Sequence, residues 1–307
     1  MSEPVTEQPD SPIRTQTFPV HGPLELDVNL TNGRVEIQLT ADEAEASETF
    51  VEVRHQPDSA APWSEGVSNL LSWVSERFGD QLGSELRSTP AEALRHTRIE
   101  LTGNRLVVRA PKALPLRNIP LAVTLRAAAG SHVSVRSGSA NVTVTGACGR
   151  ADIMTGTGEV RLDRAEGAAV VRTGSGAIRL GPVPSGLQLH TSSGDVEVSS
   201  LAGSATVGTG TGDVWLGTCS GEILARSGSG DLSVADAAEG CIDLISGSGE
   251  IRIGVRPGVA AEIDLTSNSG KVNSELDVTA EPPGGEVPLH ITARSGSGDA
   301  VVTRAVR

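Results

Sequence analysis

Carboxylates recur one residue after a glycine through the second half of this chain, at Glu159, Asp195, Asp213, Asp231, Glu250 and Asp299. If the backbone brings them back to one edge, they form a ladder of hard oxygen donors, the ligand type that Ca²⁺ selects. Asp195, Asp213, Asp231 and Glu250 are the candidates for such a site. Ala177 stands where the series requires an acid and interrupts it. Known nine-residue calcium repeats also carry a spacer before the aspartate, which is missing here. The expected role is therefore that of turn carboxylates, solvated or accepting backbone N–H bonds, with no bound metal.

Other chemistry is weaker. Runs such as GTGTGD resemble phosphate-cradling loops, but none is followed by Lys-Ser/Thr or opens a helix, so no nucleotide or other cofactor is expected. His21, His55, His96, His132, His190 and His290 show no HxH or HExxH spacing. The serines cluster in turns without a GxSxG elbow. Cys148, Cys219 and Cys241 are odd in number, far apart and without zinc-type spacing, and read as small apolar fillers or mildly reactive thiols. No catalytic residue emerges, and the chain is not expected to be an enzyme.

Composition limits the partners. Thirty-six glycines, three phenylalanines, three tryptophans and no tyrosine in 307 residues supply a thin Val/Leu/Ile/Ala core but not a broad one. A formal charge of −13 repels nucleic acid and anionic membranes. Lys112 and Lys271 are the only lysines, an arginine-dominated usage associated with GC-rich bacterial genomes. The opening MSEPVTEQPDSP lacks a basic and then apolar signal pattern, and no apolar run reaches about 18 residues, so a cytoplasmic address is expected.

The glycines are ordered. Gly158, Gly176, Gly194, Gly212 and Gly230 follow one another every eighteen residues, and Gly249 comes nineteen after Gly230. Each is the second glycine of a phrase such as TGTGEVRL or SGSGDLSV. Ala140 holds the same place upstream, and looser copies surround Gly270 and Gly298. Two residues beyond each glycine stand Val142, Val160, Ile178, Val196, Val214, Leu232 and Ile251, and four beyond stand Val144, Leu162, Leu180, Val198, Leu216, Val234 and Ile253. A second alternating pair, including Ala169/Val171 and Leu187/Leu189, completes each period. Two short strands per repeat, each apolar on one face, predict a coil in which like stacks on like. The expected fold is all-β: a right-handed parallel β-solenoid, or β-helix, of about eighteen residues per rung. Its corner glycines are expected to need positive φ, and a Cβ there is expected to clash with the neighbouring rung.

The first part differs. Residues 1–16 read as a disordered tail rich in proline. Residues 17–120 read as an N-terminal β segment, with the LELDVNLTNGRVEIQL run suggesting two strands about a tight turn at Asn32-Gly33. A helical insertion interrupts it at about 56–96. An amphipathic helix is predicted over 64–82, and a short one after Thr89-Pro90-Ala91-Glu92, where a capping box can form. This insertion is expected to act as a lid over an end or side of the solenoid. Regular repeats fill 121–307.

The NGRVEI phrase at 32–37, the segment IPLAVTLRAAAGSHVSVRSGSANVTVTG at 119–146 and the SGSGD-type turns through residue 298 resemble the bacterial putative-adhesin family of β-strand repeats, a domain of unknown function. The resemblance implies adhesion and supplies no catalytic residues. The expected function is a non-catalytic scaffold or interaction protein with a protein or glycan partner. The alternatives are a self-assembling filament resembling bactofilins, through open edge strands and possible homo-oligomers, and, third, a polysaccharide-active enzyme.

Overall fold

The computed structural model describes residues 12–42, 47–56, 89–276 and 287–306. The chain enters through β1 (Ile13–Pro19), β2 (Glu25–Thr40) and β3 (Glu48–His55), passes a short helix α1 (Pro90–His96), and continues through β4 (Arg98–Thr102), β5 (Arg105–Arg109), β6 (Leu121–Ala128) and β7 (His132–Cys148). The repeats then contribute β8 (Ala151–Thr157) and β9 (Val160–Ala165), β10 (Ala169–Ser175) and β11 (Ile178–Val183), β12 (Leu187–Ser193) and β13 (Val196–Leu201), and β14 (Ser204–Thr209). Longer strands β15 (Val214–Ser227) and β16 (Leu232–Ser246) run on through a corner. The last elements are β17 (Ile251–Val255), β18 (Ala261–Ser267), β19 (Val272–Ser274), β20 (Leu289–Ser295) and β21 (Ala300–Arg304).

All repeat strands pair in parallel with the strand one repeat away. Ile178 of β11 lies beside Val160 of β9 on one side and Val196 of β13 on the other. Leu187 of β12 lies between Ala169 and Ala205 in the same way. The all-β, solenoid-like stack read from the glycine period is thus present. Val142, Val160, Ile178 and Ile251 are fully buried, as are Val144, Val171 and Ala225 from the other columns, and they merge into one continuous core. Burying each Val or Ile side chain contributes about 1.5–3 kcal/mol.

The N-terminal end is closed by strands that reverse direction. β5 and β6 extend β2 in parallel, then β4 pairs antiparallel with β5, β3 with β6, and β1 with β3. Antiparallel edges of this kind stop the repeat from continuing. α1 packs at this end, opened by the predicted capping box: the Glu92 amide donates to Thr89 Oγ1 at 3.3 Å and the Thr89 amide to Glu92 Oε2 at 3.3 Å. Arg14 of β1 donates to the Leu94 carbonyl at 2.9 Å, holding the helix C-terminus against the sheet.

Several expectations are corrected. Residues 13–16, assigned to the tail, begin β1, because the alternating IRTQTFP run finds a partner in β3. Asn32-Gly33 is not a hairpin turn. β2 runs through it and lies parallel to β7 with Gly33 beside Ala140, so the pair forms the same corner as the later phrases. The predicted helix over 64–82 lies outside the described residues, as do residues 1–11.

The C-terminal order also departs from the sequence. β20 pairs with β16 on one side and β18 on the other, and β21 lies between β17 and β19. The chain therefore lays down its outermost strands, β18 and β19, before returning to fill the slot beneath them. Without a further neighbour, β18 keeps Ile263 and Leu265 only half-buried, whereas Ile291 of the inserted strand is 1% exposed.

Candidate functional site

Most corners are built from a hydroxyl and two glycines, with Ser192 and Asn268 replacing the first glycine in two of them. Ser246 Oγ accepts the Gly249 amide at 2.8 Å and donates to the Gly230 carbonyl of the preceding rung at 3.0 Å. Ser295 and Ser267 repeat the arrangement, and Thr173, Thr191 and Thr209 occupy the same buried column. This ladder was not singled out from the sequence, although a serine or threonine opens every SGSG-type phrase. Its signal was masked because the same residue types also suit solvated turns.

The second glycines are required mainly by packing. A Cβ on Gly194, Gly212, Gly230 or Gly249 would lie 1.9–2.2 Å from the carbonyl oxygen of the glycine one rung earlier. Positive φ, expected at every corner, occurs among the six only at Gly158 (138°) and Gly176 (131°). The stacked peptide planes approach so closely that the hydrogen atom of glycine is the only side chain that fits.

The carboxylate series does stack, and its oxygens face backbone. Asp195 Oδ1 accepts the Asp213 amide at 3.1 Å, Asp213 Oδ1 the Asp231 amide at 2.8 Å, and Asp231 Oδ1 the Glu250 amide at 2.7 Å. Asp299 accepts the Lys271 amide at 2.7 Å across the inverted C-terminal slot. Glu250 turns instead toward Arg252, at 2.7 Å. Among the described residues no group of three His, Cys, Asp or Glu side chains stands close enough to hold a metal ion.

The sheet face that begins at this ladder carries the exposed aromatic side chain. Outward from β9, β11, β13, β15, β16 and β17 point Arg161, Arg179, Glu197, Trp215, Ser233 and Arg252, in register. Trp215 is 43% exposed. A Cβ on Gly217 would sit 3.3 Å from its Cη2 atom, so the indole reaches across the bare backbone of Gly217. An open groove of about 460 Å³ lies on one side of it, lined by Arg179, Asp195, Glu197, Asp213 and Asp231. Another, of about 620 Å³, lies on the other side among Arg252, Asn273, Val301 and Thr303. The arginines of this face are internally satisfied: Arg161 and Arg179 reach Glu159, Arg179 reaches Glu197 at 3.5 Å, and Arg252 reaches Glu250. The surface left for a partner is a flat indole set among excess carboxylates. Sequence reasoning passed over Trp215, whose signal was a large apolar residue at a position where neighbouring repeats place Arg, Glu or Ser.

The thiols divide by burial. Burial pushes Cys148 up to about 11 and Cys219 up to about 12. Cys241 is exposed, and its pKa is raised by residual desolvation and by the nearby Asp243 and Glu222. His290 beside it bonds Glu262 at 3.1 Å. Among the described residues no helix is long and apolar enough to cross a membrane.

No curated protein matches the sequence. Among solved structures, a putative adhesin from Bacteroides fragilis is similar at 12% identity over 97% of this chain and 100% of that one, with a TM-score of 0.46. A putative adhesin from Parabacteroides distasonis is similar at 10% identity, covering 96% and 98%, with a TM-score of 0.40. A putative lipid binding protein from the same species follows at 9% identity, 95% and 97%, and a TM-score of 0.33. The family model of Toastrack DUF4097 matches residues 106–303, from β5 to β21 and thus the repeats from β7 onward. The chain belongs to this Toastrack family, a domain of unknown function among the putative adhesins.

Proposed function

We propose that this chain is a non-catalytic interaction protein, and that it engages a protein or glycan partner on the sheet face around Trp215. The observation that carries this reading is the exposed indole between two open grooves, in a chain with only six Phe and Trp residues together. A rigid aromatic surrounded by fixed polar groups supplies contact area at small entropic cost, which is why tryptophan recurs at binding hot spots. The carboxylates beside it are held by rung-to-rung amide bonds, and so stand preorganised. Membership in a family of putative adhesins supports an interaction role. The coil is read as right-handed, with rungs of about eighteen residues, on the general preference of parallel crossovers.

The test compares wild-type chain with Trp215→Ala on a glycan panel scored for both retention and product release, alongside capture of proteins through a photo-crosslinker placed at Ser233, next to the indole. Retention or crosslinking by wild type that falls at least tenfold in the variant, with no product released, is the expected result. Turnover of any glycan, or equal binding by both proteins of every protein and neutral glycan retained, would overturn the proposal.

A further inference from the structure

The sheet face built from β7, β8, β10, β12, β14 and β15 has the opposite electrostatic character. Following the register outward, Arg136, Met154, Arg172, His190, Gly208 and Arg226 form one column, each on the strand next to the last. Arg150, at the start of β8, adds a further guanidinium. All four arginines are exposed. Arg136 shares Asp152 at 3.4 Å, but the side chains of Arg150, Arg172 and Arg226 make no hydrogen bond or ion pair with any described residue. Acids on these strands amount to Asp152 and Glu222. A chain of charge −13 thus neutralises the arginines on its Trp215 face, whereas on this face Arg150, Arg172 and Arg226 stay unpaired and Arg136 holds one long contact to Asp152.

Free guanidiniums suit carboxylate, which they bind in a bidentate fork. The spacing narrows the ligand. Strands in a sheet lie about 4.8 Å apart, so Arg136 and Arg172 stand about 10 Å apart along the stack and Arg172 and Arg226 about 14 Å. Duplex DNA carries a charge every ~1.7 Å, far denser than guanidiniums about 10–14 Å apart can match. A bilayer presents its charge in a plane, which a single file of arginines does not match. A linear polymer with one carboxylate every sugar or two matches both the line and the sparse charge. In the neighbouring column of the same face, two residues earlier on their strands, Ser134, Gln188 and Thr206 offer hydrogen bonds to hydroxyl groups.

We infer that this face binds an acidic polysaccharide of the uronic-acid type, laid along the solenoid axis with its carboxylates on Arg136, Arg172 and Arg226. The inference goes beyond the Trp215 reading and uses a different surface.

The experiment measures retention of the full chain by polygalacturonate in affinity electrophoresis and titration calorimetry, with neutral dextran, a single-stranded RNA homopolymer and phosphatidylserine vesicles as comparators. Polygalacturonate is expected to bind, more weakly as salt rises, and dextran is not. Arg172→Glu and Arg226→Glu should each lower affinity about tenfold, with Arg172→Gln as the milder variant should a charge reversal disturb folding. Trp215→Ala should leave polygalacturonate binding unchanged. Absence of binding, equal binding by the arginine variants, loss of binding in Trp215→Ala, or tighter binding to RNA or vesicles would each overturn the inference. A failure of the Trp215 proposal leaves these readouts untouched.

Discussion

The hydroxyl of Ser227 donates to the carbonyl of Gly212, one rung earlier, at 3.2 Å, while accepting the amide of Gly230 at 2.8 Å. One buried oxygen thereby satisfies a turn and joins it to its neighbour. Ser227→Ala leaves a buried N–H and a buried C=O without their partner, each worth about 1–3 kcal/mol when orphaned. The variant should lose roughly 2–3 kcal/mol in urea denaturation, whereas Ser227→Thr, the residue found at 155, 173, 191 and 209, should lose far less.

The glycine beneath that bond offers a sharper contrast. A Cβ on Gly212 would meet the Gly194 carbonyl oxygen at 1.9 Å, and both partners are backbone that cannot turn aside. Gly22 has φ of 92° with nothing within 4 Å of an added Cβ. Gly22→Ala should cost about 1 kcal/mol through backbone strain alone. Gly212→Ala should exceed about 4 kcal/mol, the range of severe core lesions, or leave the chain insoluble.

Much of this was legible because the repeat writes each structural demand many times. Val160, Ile178 and Val196 occupy one sequence column and one spatial column, so period alone identified the core. The capping box at Thr89 was legible from local chemistry. What stayed hidden depends on long-range pairing. No local feature of Ile13–Pro19 announces an antiparallel partner in β3, and Asn32-Gly33 satisfies hairpin and solenoid corner equally well until β7 is seen beside it. Trp215 was hidden for a different reason. A single exposed aromatic breaks no pattern that folding requires, so only its neighbours in space give it meaning.

The carboxylate ladder separates a structural acceptor from a metal ligand. Asp213→Asn retains an oxygen for the Asp231 amide and should match wild type in thermal midpoint, whereas Asp213→Ala should lose about 1 kcal/mol. Millimolar Ca²⁺ should leave the midpoint of wild type unchanged. A calcium-dependent rise that Asp213→Asn abolishes would restore the metal-site reading.

Cys148 and Cys219 make stability depend on alkaline pH. Their folded pKa values, about 11 and about 12, lie above the ordinary thiol value of 9.0, so the native state favours the neutral form. That contribution is whole below pH 9 and is lost as pH rises through the folded values. The urea midpoint should fall as the pH rises from 9 to about 11, the interval between the ordinary thiol value and the lower of the two folded ones. A Cys148→Ala, Cys219→Ala double variant should show a flatter profile over that window. In the native wild type, a thiol reagent at pH 8 should label Cys241 alone.

The inverted order of the C-terminal strands can be read by crosslinking. Asp243 of β16 is beside Thr292 of β20, and Thr292 is beside Asp264 of β18, so Asp243 and Asp264 are separated by two strand spacings, about 10 Å. A disulfide needs Cα atoms within about 7 Å. In a Cys241→Ser background, the pairs Asp243→Cys with Thr292→Cys and Thr292→Cys with Asp264→Cys should oxidise readily, and Asp243→Cys with Asp264→Cys should not. Ending the chain at residue 288 empties the middle slot, and Ile242 and Leu244 then lose the cover of Ile291 and Ala293. β18 carries Ile263 and Leu265 in the same register, and the hydrophobic gain of moving one slot inward draws it against β16. In the shortened chain the Asp243→Cys, Asp264→Cys pair should therefore become the one that closes. If that pair closes in the full-length protein as well, the strands follow sequence order and the inverted slot does not exist.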